Sequence, residues 1–323
     1  MLQLMVLFFS AFFLSSFFTN PTLTQTYVTD GANLFFYCVF PSLFTFCFIV
    51  NLLKFFKVDG LITKILYKPL NKFFGLSKNC CYPVFVGLTS GYPMSAKAIA
   101  NANLQGVMPT KNLLVTYALN SISNPLFIVV TVGGTMLNSI SLGIILLVTQ
   151  YLTAVINGKF WSKIKIKNND AVYVKTSENT SLTLLGVMTN TLSACLVVFG
   201  FICLFNFIIE VLLSYGVIDF LAKIVSSVFT LISVPKTIAT PFIISLFEIT
   251  RGLQLLSITG ASLKLTLAFA SSILYFGGAS IFLQSLSFTM VCNVKLKYLL
   301  LVKITGAIIA PVICFVLCLI FNI

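Results

Sequence analysis

The chain has a single arginine, Arg251, and it lies three residues after Glu248 in an otherwise apolar neighbourhood. At helical spacing the two would share one face and form an internal ion pair. A lone guanidinium among apolar residues is also suited to gripping a carboxylate through two parallel hydrogen bonds. Glu248 would then hold it in place or take up a cation; the plainer alternative is a salt bridge that only stabilises its own segment. A second constellation is Ser90, Gly91, Tyr92 and Pro93 followed by Lys97. Glycine and proline at that spacing stop a helix and restart it. The restarted helix offers backbone amides and partial positive charge to an anion, and Lys97 adds a full charge one turn later. The competing reading is a turn whose lysine extends to the membrane surface. A third group is Asn120, Ser121, Ser123 and Asn124, placed just before Pro125, where an interrupted helix frees carbonyls and amides. Gln284 stands in a comparable position late in the chain, and Glu210 reads as interfacial.

The elements that carry these residues must be membrane helices. Of 323 residues 59% are hydrophobic and 8% are charged, too few charges to clothe a surface in water. In hydrocarbon each helix needs about 20 apolar residues, because every backbone amide must be satisfied internally. Apolar runs at 2–18, 32–53, 112–137, 140–157, 184–213, 262–292 and 297–321 predict seven full spans. The first lacks a basic leader and a small-residue cleavage site, and reads as an uncleaved span rather than a signal peptide. Two segments, 79–110 and 233–260, are too polar and too broken by proline and glycine to cross, and read as re-entrant hairpins.

Lysines orient the chain. Those at 54–78 and in the loop 158–183 mark cytoplasmic connections, which makes the hairpin 79–110 enter and leave on the cytoplasmic side, and 233–260 on the outer side. The expected architecture is an all-α polytopic membrane protein of about seven spans and two opposed hairpins. It divides into an N-terminal span and outer loop (1–31), a first half (32–157), the basic loop (158–183) and a second half (184–323). The two halves repeat one order of elements in opposite orientation, an arrangement that places a transported solute between broken helices near the bilayer midplane.

Several function classes are excluded. The formal charge of +13 is dispersed between apolar runs rather than gathered on one face, so the partner it implies is lipid and not nucleic acid. There is no histidine, the nine cysteines lie mostly in apolar runs, and no phosphate loop or zinc motif occurs, so neither enzyme activity, metal nor cofactor is expected. The 33 phenylalanines read as lipid-facing and packing groups.

The stretches SGYPMSAK (90–97), SNPLFIVVTVGGTM (123–136), FEITRG (247–252) and the run from Lys264 to Gln284 resemble the YlbJ-type sporulation integral membrane proteins of the nucleoside-recognition Gate group. Ser95 and Asn124 stand where that pattern leads one to expect glycine. The resemblance implies a spore-forming bacterium, a place in the mother-cell-derived outer forespore membrane, and movement of dipicolinic acid. The resulting expectation is a secondary transporter for a small organic anion. Ser90, Gly91, Tyr92, Pro93, Lys97, Asn120, Ser123, Asn124, Glu248, Arg251 and Gln284 would form its site. A nucleoside or nucleobase permease and a non-transporting structural protein of spore assembly stay open as alternatives, as do a homo-oligomer and sporulation membrane partners.

Overall fold

The computed structural model describes residues 14, 15, 18, 21–106, 108–165 and 183–323, and these are almost entirely helical. The expected span 2–18 and most of the basic loop 158–183 lie outside the described residues.

The first long helix starts earlier than its apolar run. It comprises α1 (Pro21–Leu34), a π-helical turn at Phe35–Val39, and α2 (Phe40–Phe55), and is long and apolar enough to cross a bilayer. The amphipathic α3 (Asp59–Phe74) follows and ends on Gly75, whose φ of 70° lets its amide cap the carbonyl of Asn71. The segment expected as the first hairpin contains α4 (Cys81–Ser90) and α5 (Met94–Gln105). The expected span 112–137 is not one helix. It is α6 (Thr110–Leu119), an unwound stretch at 120–124, and a π-helical segment at Phe127–Met136. The first half closes with α7 (Ile140–Lys163).

The same order then recurs. The long α8 (Leu184–Ser214) corresponds to α1–α2, and the amphipathic α9 (Val217–Leu231) to α3. α10 (Ala239–Phe247) and α11 (Ile249–Ser257) form the second hairpin. α12 (Leu263–Phe276) and α13 (Gly278–Thr289) are one span broken at Gly277 and Gly278, with φ of 82° and 65°. The last span is α14 (Leu296–Ile320).

Small residues let these backbones approach closely, as lipid-embedded packing requires. A Cβ on Gly133 would stand 2.4 Å from the Cα of Gly143, pinning the π-helical segment to α7. One on Gly306 would enter the ring of Tyr275, the contact that seats α12 against α14. Outward-facing apolar side chains such as Leu185, Leu196, Ile308 and Val312 supply the surface that lipid covers.

Candidate substrate cavity

The break in the first hairpin is built from Gly91 and the Tyr92–Pro93 peptide, which is cis. Gly91 has φ +67°, and a Cβ there would lie 2.6 Å from the amide nitrogen of Asn124, so the hairpin tip rests directly on the unwound stretch of the broken span. The Tyr92 amide donates to Ile122 O at 3.1 Å. Its hydroxyl donates to Leu274 O at 2.6 Å and is close to the Ser123 hydroxyl. A phenol has one proton, so Ser123 is the donor in that second bond. Tyr92 thereby ties the first hairpin to both broken spans.

Asn124 caps the helical turn that follows it. Its Oδ1 accepts from the amides of Leu126 (2.9 Å) and Phe127 (3.3 Å), with Pro125 at the first helical position. Asn120 donates to Pro83 O at 2.9 Å and fills the space left by the missing side chain of Gly87, whereas its Oδ1 has no partner among the described residues.

The second hairpin breaks at Glu248, whose extended backbone (φ −140°, ψ 120°) makes it the N-cap of α11. Its carboxylate accepts from the Arg251 amide at 2.8 Å and from the Thr250 hydroxyl at 3.1 Å. The expected ion pair between the side chains of Glu248 and Arg251 is therefore corrected. A residue at the N-cap is not yet on the helix face, so helical spacing does not bring its side chain beside the guanidinium. Arg251 instead forms an ion pair with Glu210 of α8 and donates to Asn206 Oδ1 at 2.7 Å. Asn206 in turn donates to Tyr27 O in α1, so this network clamps the second hairpin to the long helices. Glu210, read from sequence as interfacial, is a structural partner here.

Between the hairpins and the walls formed by α2 and α8 lies a cavity of about 50 Å³, room for a few water-sized groups. Tyr92, Pro93, Ser123, Asn124, Glu248 and Gln284 line it, together with Ser42, Thr250 and apolar residues including Val198, Ile202 and Ile281. Gln284 is buried, its amide nitrogen donates to Ser280 at 3.1 Å, and its Oε1 has no partner among the described residues. That oxygen is an acceptor held ready at the cavity.

Five of the residues singled out from sequence stand elsewhere. Ser90 is buried against Phe46 O, Gly91 is the packing contact, Asn120 is engaged with α4, and Arg251 belongs to the clamp. Lys97 lines a different cavity, about 270 Å³, shared with Lys54, Asp59, Lys78 and Asn101. The two cations expected to meet one anion are thus not brought together. Sequence reasoning also left Ser42 and Thr250 out of the site. Ser42 belongs to no motif and reaches the cavity only through tertiary packing, whereas Thr250 lies within the FEITRG stretch, between Glu248 and Arg251.

No family model matches the chain. It is 24% identical over 330 residues to the sporulation integral membrane protein YlbJ of Bacillus subtilis (strain 168), covering 96% of this chain and 81% of that protein. The solved structure of CNTnw in an inward-facing, substrate-bound state superimposes with a TM-score of 0.58 at 13% identity, over 94% of this chain and 86% of that one. A doubly substituted CNTnw in an outward-facing state gives 0.54 at 14%, with the same coverage. The chain shares the fold of CNTnw. The resemblance to the YlbJ-type proteins read from the motifs is borne out, as are the all-helical polytopic architecture and a multi-pass place in the membrane.

Proposed function

We infer that the protein is a secondary transporter, not an enzyme, and that it moves a small polar solute by alternating access. The observation that carries this reading is the convergence of both hairpin breaks and both broken spans on one cavity, with buried polar groups turned toward it. Its lining holds one carboxylate, Glu248, with neutral donors and acceptors on Ser123, Thr250 and Gln284, and no cation. Such a lining favours a neutral, ring-bearing solute of nucleoside type. Glu248 and Gln284 would accept its hydroxyl or amino protons, and the apolar residues of α8 would face its ring.

The second reading is a small organic anion, with dipicolinate across the outer forespore membrane as its specific form. One observation favours it. Lys97, Lys54 and Lys78 line the larger cavity on the lysine-rich side, which suits the entry or exit of a dicarboxylate. The similarity to a sporulation protein agrees with it.

Purified protein in proteoliposomes, offered radiolabelled uridine and dipicolinate in parallel, separates the two. Uridine uptake abolished by Glu248→Gln supports the neutral-solute reading. Dipicolinate uptake that survives Glu248→Gln and is lost in Lys97→Ala supports the anion. No uptake of either from folded protein turns the reading toward a structural role in spore assembly.

A further inference from the structure

Lys303, two turns into α14, is 1% exposed. A charged group at this depth of a span is costly and marks a functional position by default. Its ammonium donates to Tyr275 O at 3.4 Å, at the C-terminal end of α12, where the break at Gly277 leaves carbonyls without helical partners. It lies 4.3 Å from the ring centre of Tyr92 and 5.8 Å from that of Tyr117. A Cβ on Gly277 would be 3.5 Å from its Nζ. The groups that face it are therefore the Tyr92 ring from the first hairpin, the Tyr117 ring from α6, and Tyr275 from α12. Among the described residues no carboxylate comes within ion-pairing distance.

The carbonyl end of a half-helix carries partial negative charge, and in transporters with broken helices such ends coordinate the coupling cation. A lysine head is a compact monovalent cation on a flexible stem, and aromatic faces attract it. We propose that Lys303 is the resident cation of the transport unit, its ammonium taking the place at the α12 break and the Tyr92 ring where a mobile monovalent cation would otherwise bind. The tip of the first hairpin is then held by a charge that belongs to the chain, and this position takes no sodium. The inference rests on the transport reading only in naming this a coupling position; the placement of the ammonium stands apart from it.

The test reads stability rather than uptake, so a failure of transport in proteoliposomes leaves it intact. Melting of the full chain in detergent is followed by Trp161 fluorescence in choline, sodium and ethylammonium chlorides of equal ionic strength, for wild type, Lys303→Ala and Lys303→Met. Wild type is expected to melt at the same temperature in all three salts. Lys303→Ala should melt lower in choline and regain about 3 °C or more in sodium or ethylammonium, which refill the site. Lys303→Met, whose side chain occupies the space without charge, should stay low in every salt. Wild type stabilised by sodium over choline, an alanine variant indifferent to the salt, or a methionine variant as stable as wild type would each overturn the proposal. Should the alanine variant not fold, wild type and the methionine variant decide it by the same criteria.

Discussion

At Arg251 the chain uses its one guanidinium to hold two parts of the molecule together. Its partners Glu210 and Asn206 lie on α8, and the pair is mostly shielded from solvent, with side-chain exposures of 21% and 17%. Removing one member leaves the other charged and poorly solvated. Arg251→Ala and Glu210→Ala are each expected to destabilise by about 2 kcal/mol, and the double variant by less than the sum. Thermal melting of the three variants checks this, and strict additivity would contradict the pairing. The residue scale is also where sequence reasoning was least complete. The i, i+3 spacing of Glu248 and Arg251 was visible, but not that the helix begins after Glu248. Glutamate is not among the preferred N-caps, and nothing local marks the boundary. Lys303 was legible by the reasoning applied to Arg251, since it too is an ionisable residue inside an apolar run; its ring partners come from segments far apart in sequence.

The elements behave as their breakers dictate, and two glycines show how far the demands of backbone and space can differ. Gly91 and Gly216 both have positive φ, 67° and 70°, but Gly216 (ψ 9°) is left-handed helical whereas Gly91 (ψ −163°) lies in a region open essentially to glycine alone, and a side chain at Gly91 would also collide with Asn124 and Ile122 where one at Gly216 meets nothing within 4 Å. Gly216→Ala is expected to cost about 1 kcal/mol from the left-handed backbone alone. Gly91→Ala should cost about 3 kcal/mol or more, because its backbone conformation is closed to alanine and the hairpin tip must also lift from the broken span. Similar melting temperatures for the two variants would show that the tip does not rest where it is described. The existence of both hairpins was readable from proline, glycine and polar residues. The break at 120–124 was legible from Asn120, Ser121, Ser123, Asn124 and Pro125, although the segments on either side were counted as one span. The convergence of two hairpin breaks far apart in sequence, at Pro93 and Glu248, is set by long-range packing, which no local pattern encodes.

In the whole molecule, the long helices α1–α2 and α8 pack against each other, with Gly31 so close to Cys203 that a Cβ would stand 2.9 Å from its Cα. They form one wall of the cavity, and the hairpins with the broken spans form the other. On the alternating-access reading proposed above, the hairpins must move relative to that wall. Joining the second hairpin to α8 with an engineered disulfide is expected to stop uptake reversibly, with recovery on reduction. Uptake that continues in the oxidised protein would contradict a moving hairpin.

The central claim, that the solute binds between the hairpins, is tested most directly by the uptake kinetics of Gln284→Ala in proteoliposomes, with folding verified by melting. Gln284 offers a buried acceptor without a described partner and takes no part in the clamp, so its loss removes a solute contact without loosening the scaffold. The account predicts an apparent affinity for the transported solute weakened by about five- to tenfold, the value of one neutral hydrogen bond, with the melting temperature little changed. A Gln284→Ala protein that takes up solute with unaltered affinity would place the binding site elsewhere.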